Sequence, residues 1–146
     1  MTQEDEKRGR FEDGPREVIA ACIEVHGHVG PGLLESVYEQ CLAHEVTLRG
    51  FRVERQRVLP VIHKGVRLGD GHRLDIVVDD WLIIEVKAVE RLLPVHEAQV
   101  ITYLKLTGLD VALLVNFNVA VVRHGLRRLT NRHNNNPLLP SRLPVV

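Results

Sequence analysis

Asp75, Glu85 and Lys87 are the residues of this chain whose types and spacing suit a reaction, with nine positions between the first two and one between the last two. Side chains alternate along a strand, so in "WLIIEVKAVE" (81–90) Trp81, Ile83, Glu85 and Lys87 share one face while Leu82, Ile84 and Val86 share the other. Whether Asp75 joins them turns on the connection between "RLDIVV" and "WLIIEVKAV", because opposed residues of an antiparallel pair lie on the same face. A two-residue turn at Asp79-Asp80 sets Asp75 opposite Ile84, and Glu85 and Lys87 then mark only where burial stops. A three-residue turn, Asp79 to Trp81, sets Asp75 opposite Glu85 with roughly 5 Å between Cβ atoms. In that register the two carboxylates repel unless a cation sits between them, and hard oxygen ligands suit Mg²⁺ or Mn²⁺. Such an ion acidifies a water and neutralises charge on a phosphoryl group, while the Lys87 ammonium orients the water or stabilises the oxyanion. That is phosphodiester hydrolysis.

The elements that must position these residues follow from periodicity. "PREVIAACIEVHGHV" from Pro15 carries Val18, Ile19, Cys22, Ile23 and His26 at helical spacing, with the proline suited to a first turn. After the break at Gly30-Pro31-Gly32, "LLESVYEQCLAHEVTLRG" repeats the period until Gly50 stops it. "FRVERQRVLPVIHKG" then reads as a strand, with Pro60 favouring an edge or a bulge. The two strands around Asp79-Asp80 come next, followed by a helix over "PVHEAQVITYLKLTG", an apolar strand "DVALLVNF" and a further strand at "VAVVRHG". Two helices, an antiparallel strand region, a crossing helix and further strands describe an α/β or α+β fold with a mixed sheet flanked by helices. If the strands at 81–88 and 110–116 are parallel neighbours, the helix between them is a right-handed crossover.

The 146 residues, 45% hydrophobic, fit one domain, which we expect over 15–130 between a disordered segment (1–14) and a poorly ordered tail (131–146) rich in asparagine and proline. Nineteen Lys+Arg balance nineteen Asp+Glu, so net charge neither favours nor excludes a polyanion partner. The last acidic residue is Asp110, and Arg123, Arg127, Arg128, Arg132 and Arg142 make the C-terminal part basic, either a solvated face or a polyanion contact. Neither end shows a signal peptide or an apolar run of about 18 residues, which leads us to expect a soluble cytoplasmic protein with no membrane segment.

Asp-x9-Glu-x-Lys on adjoining strands, followed by a helix with Gln99-x3-Tyr103, resembles the PD-(D/E)XK nuclease superfamily. More closely, "GLLESVY" (32–38), "RLDIVV", "IIEVKAV", "HEAQVITYLKLTG" and "LLVNF" resemble the family of small proteins named for the motif GxxExxY. The likeness runs from about Val18 to Arg128. It implies a restriction-endonuclease-like core with Asp75 and Glu85 as metal ligands, Lys87 as catalytic lysine, and Glu35 as a further acidic ligand brought by the second helix. Gln99 and Tyr103 match a Gln-x3-Tyr element that assists the metal site or the DNA in one branch of the superfamily. The implied cofactor is Mg²⁺ or Mn²⁺, the implied substrate DNA with RNA as the alternative, and a homodimer or protein partner is compatible. Leu74 stands where the superfamily's nominal motif has proline.

The residues themselves support the helix positions in two ways. Glu35 falls in a first helical turn, where a carboxylate also favours the helix N-terminus by about 0.3–1 kcal/mol. His96, Gln99 and Tyr103 line one helical stripe, which we expect to face the site. Tyr38 suits either a core aromatic or a substrate contact. A competing arrangement pairs Cys22 and His26 with Cys41 and His44 on two helices as zinc ligands. A competing function is a non-catalytic nucleic-acid-binding or partner-docking module that keeps the nuclease fold.

Overall fold

The computed structural model describes residues 2–69 and 71–131; the expected C-terminal tail, apart from Asn131, lies outside them. Helix α1 spans Gln3–Val29, α2 spans Glu35–Leu48 and α3 spans Pro94–Thr107. Strands β1 (Val53–Val58), β4 (Arg73–Val78), β5 (Leu82–Lys87), β6 (Val111–Asn116) and β7 (Leu126–Thr130) form one sheet in the order β1-β4-β5-β6-β7. β5 and β6 are parallel, joined through α3, and every other neighbouring pair is antiparallel. This is the mixed α+β architecture expected from the order of elements, and it is consistent with the restriction-endonuclease-like core that the resemblance implies.

The central strands read as near-continuous apolar runs because both of their faces are covered. On one side Val18, Cys22, Tyr38, Leu42 and Val46 from α1 and α2 pack on Ile76, Leu82, Ile84, Val86, Leu113 and Val115. On the other, Val100, Tyr103 and Leu104 of α3 pack on Val77, Ile83, Ala112 and Leu114. The alternation read from "WLIIEVK" therefore holds from Leu82 onward. Trp81 departs from it and packs with the α1/α2 layer, because it belongs to the turn and not to the strand.

Four local expectations are corrected. Helix α1 begins at Gln3, upstream of Pro15, so the proline lies inside the helix and not in its first turn. Pro15 is buried where α1 meets the core, next to Gly14, whose missing side chain makes room for the Trp81 ring. "VIHKGVR" folds into a small hairpin, β2 (Ile62–His63) with β3 (Val66–Arg67), turned by Lys64 and Gly65, both at positive φ as a two-residue hairpin requires. β1 ends at Val58, short of Pro60, although it does lie at the sheet edge, as that proline favoured. The last strand is not "VAVVRHG": Val122–Gly125 is a 3₁₀ turn, and β7 follows it. Gly125 passes so close to the Asn116 carbonyl that a Cβ would overlap it, which turns the chain there and leaves Arg127 and Arg128 on an exposed edge strand.

Among the described residues no helix is long and apolar enough to cross a membrane.

Candidate active site

The β4–β5 hairpin decides whether the acidic residues meet. Its ladder pairs Val78 with Leu82, Val77 with Ile83 and Ile76 with Ile84, leaving Asp79, Asp80 and Trp81 as a three-residue connection. Asp79 and Asp80 both adopt left-handed φ values, 48° and 58°, which aspartate tolerates better than most residues. The turn is tied to β1. Asp79 N–H donates to the Arg52 carbonyl (2.9 Å), Arg52 N–H donates to Asp79 Oδ1 (2.9 Å), and Arg57 pairs with Asp80 at 2.7 Å.

Continuing that register puts Asp75 opposite Glu85, and there the backbone ladder stops. The carboxylates take over: Asp75 N–H donates to Glu85 Oε1 (3.1 Å) and Val86 N–H donates to Asp75 Oδ2 (2.9 Å). Each acid is thereby oriented by a main-chain donor of the opposite strand. Since β4 and β5 part at this point, both covering layers reach the site. Glu35 of α2 lies within electrostatic range of Lys87 and Asp75, and Lys87 lines a groove together with His96, Gln99 and Tyr103 of α3. The three residues of the expected α3 stripe thus line the same groove as Lys87.

Burial sets the electrostatics. Glu85 is 3% exposed, and desolvation, reinforced by the Asp75 charge, pushes its carboxyl well above the ordinary range, against the pull of the Asp75 N–H and of Lys87. Tyr103 is pushed up to about 12 by burial and then by Glu85 and Asp75, with a hydrogen bond from Gln99 opposing the shift, so the phenol stays protonated. Glu35, the first residue of α2, is raised by partial burial, with Lys87 opposing and Asp75 and Glu39 adding to the rise. The Lys87 ammonium makes no hydrogen bond or ion pair among the described residues.

Three neighbours escaped the sequence reading. Glu39, 6% exposed and one turn beyond Glu35, accepts a 2.6 Å hydrogen bond from Gln56 Nε2 and lies 3.7 Å from Arg55. The same Gln56 amide reaches Asp75 Oδ1 at 3.4 Å. Gln56 sits in β1 between the bridges Arg55↔Ile76 and Arg57↔Leu74, directly across from Asp75, with φ of 54°. A left-handed non-glycine residue costs about 1–2 kcal/mol, and here it turns the amide toward two carboxylates. The i,i+4 spacing of Glu35 and Glu39 was a readable signal; nothing in the sequence marks Gln56. The third neighbour is Asn116, buried at the end of β6 beside Lys87, whose amide accepts from Val89 N–H (3.1 Å) and donates to the Val89 carbonyl (2.9 Å), clamping the chain as it leaves β5.

Tyr38 takes the first of the two roles open to it, and His96 carries a structural bond on one ring nitrogen while lining the groove. Tyr38 is a core residue: its hydroxyl donates to the Gly30 carbonyl (2.6 Å), accepts from Leu33 N–H (3.1 Å), and its ring stacks on Phe117 at 4.7 Å. His96 Nδ1 accepts from Leu93 N–H (2.9 Å), which caps α3.

The donor set limits which metal fits. Among the described residues no group of three or more His, Cys, Asp and Glu side chains is arranged to hold an ion. The exposed start of α2 keeps Glu35 at the rim. Two carboxylates with an open side suit Mg²⁺ or Mn²⁺, which retain several waters, and do not suit a caged ion. The zinc arrangement fails for the same reason and for local ones. Cys22 is fully buried in the core, its thiol pushed up to about 12 by burial, and His26 Nε2 is bonded to the Val119 carbonyl at 2.7 Å.

No curated protein and no solved structure matches the chain. A family model does: that of the PD-(D/E)XK nuclease superfamily matches residues 12–129 of the 146, from within α1 to the last strand, and the chain belongs to that superfamily.

Proposed function

We propose that this protein is a metal-dependent nuclease of the GxxExxY branch, hydrolysing phosphodiester bonds in DNA at Asp75, Glu85 and Lys87. The observation that carries the reading is the pair of carboxylates held face to face by opposite strand N–H groups, with a lysine two residues on from one of them. Asp75 and Glu85 are the residues that would hold Mg²⁺ or Mn²⁺; when bound, the ion supplies positive charge to the phosphate and acidifies a water. The main-chain donors fix the two carboxylates before any ligand arrives, so their orientation costs nothing during the reaction. Lys87, whose ammonium makes no hydrogen bond or ion pair among the described residues, presents it to the developing phosphoryl charge. Protonated Tyr103, held by Gln99, supplies a neutral hydrogen-bond donor beside the acids, and Glu35 holds a counter-charge to Lys87 at the rim.

Purified protein incubated with single-stranded, duplex and branched DNA is expected to cleave at least one of them with Mg²⁺ or Mn²⁺ and none in EDTA. Salt-sensitive DNA binding with no cleavage under either metal would overturn the enzyme reading in favour of a binding module.

Gln56 gives a second prediction. Glycine adopts the left-handed φ without strain, so Gln56→Gly should offset its lost hydrogen bonds and leave urea stability within about 1 kcal/mol of wild type. Loss of the amide that braces Asp75 should still raise the Mg²⁺ concentration needed for half-maximal cleavage by about 10–100-fold. A Mg²⁺ titration read beside a urea melt checks both halves.

A further inference from the structure

Beside the carboxylates lies an open groove of about 580 Å³, walled by Leu59 and Val61 after β1, by His72 before β4, and by Thr102, Tyr103 and Leu106 of α3. Among the described residues Lys87 is its only lysine or arginine. A track for the sugar-phosphate backbone needs a row of cations or main-chain donors, and one ammonium does not make one. The walls are instead apolar and aromatic, with His72 and Tyr103 in an edge-to-face arrangement at 6.2 Å and 63°. Besides Lys87, polar groups are few: the Gln99 amide, the Thr102 and Tyr103 hydroxyls and the His72 and His96 rings. Because His96 Nδ1 accepts from Leu93 N–H, the neutral ring carries its proton on Nε2 and offers a donor.

Flat apolar walls with a few edge-directed donors and acceptors are what a nucleobase requires of its site. The groove is also continuous with the reaction centre, since Lys87, Gln99 and Tyr103 belong to both. We propose that this groove receives an unstacked nucleobase of the strand being cut, adjacent to the phosphate at Lys87, and that the substrate is therefore unpaired DNA. Paired bases are buried in the stack and reach such a groove only after being turned out, at a cost of a few kcal/mol. The inference rests on the nuclease reading above.

The test uses the full chain with Mg²⁺ and a single-stranded oligonucleotide, the same sequence in duplex, and single-stranded versions carrying one abasic residue at successive positions. Expected are cleavage of the single strand about 10-fold or more faster than of the duplex, and a drop of similar size when the abasic residue falls at one position beside the cut. Thr102→Trp, which fills the groove without touching the carboxylates, should reproduce that drop and abolish sensitivity to the abasic position. Metal-dependent cleavage that is equal on both forms and indifferent to abasic position overturns the base site while leaving the nuclease intact, whether or not Thr102→Trp folds. If nothing is cleaved, the nuclease reading fails separately, and binding in EDTA of a single strand containing 2-aminopurine decides the groove. A fluorescence change lost in Thr102→Trp supports it, and no change in wild type overturns it.

Discussion

Lys87→Ala is expected to lower DNA cleavage by about 10²–10³-fold while thermal stability and Mg²⁺ binding stay near wild type. The separation follows from how the side chain sits. Its backbone carbonyl takes part in the fold, accepting from Phe117 N–H at 3.0 Å, but the ammonium holds no partner among the described residues. Removing it deprives the phosphoryl group of a positioned charge and leaves Asp75 and Glu85 with their strand donors. Cleavage rates, a Mg²⁺ titration and a thermal melt on one preparation distinguish this from a folding defect. A variant that cleaves at the wild-type rate would remove Lys87 from the mechanism.

The second large effect concerns pH and the metal together. Glu85 in the folded, metal-free chain holds its proton above the pH at which the unfolded chain releases it, because burial and the Asp75 charge oppose ionisation. The native state therefore binds more protons across that window, and stability falls as pH rises from the ordinary carboxylate range through the raised value. One pH unit of displacement is worth about 1.4 kcal/mol, and 1 kcal/mol moves the Tm of a chain this size by about 3–4 °C. In EDTA, wild type should thus lose several degrees relative to Glu85→Gln between pH 5 and 8. Mg²⁺ should restore wild type at pH 8 and affect Glu85→Gln far less, since the variant keeps only one of the two carboxylates that would hold the cation. Parallel pH profiles for the two proteins would show that Glu85 ionises without penalty.

The acids and the lysine were legible because strand alternation is strict, and α2, α3, β5 and β6 were legible because their apolar periods are long. Register was not. The hairpin allowed two turn lengths, and Trp81 resembles a first strand residue; the ladder that starts at Leu82, with the Trp81 ring packed beside Gly14, makes it the third residue of the turn. β7 was misplaced since valine content favoured 119–122, whereas the contact of Gly125 with Asn116, remote in the sequence reading, moves the strand onward. Gln56 was beyond reach, as its role depends on a backbone angle that no composition announces.

The replacement of two ladder bonds by the Asp75 and Glu85 side chains means that chemistry and architecture share these atoms unequally. A descendant that ceased to cut could discard Lys87 at no structural cost. Discarding either acid with an apolar residue would strand a main-chain donor, Asp75 N–H or Val86 N–H, at about 1–3 kcal/mol where that donor is shut off from water. Silent members of this lineage should therefore be recognised by a missing lysine between two retained acids and a following strand end, and a surviving acid pair alone is a record of how the sheet is closed.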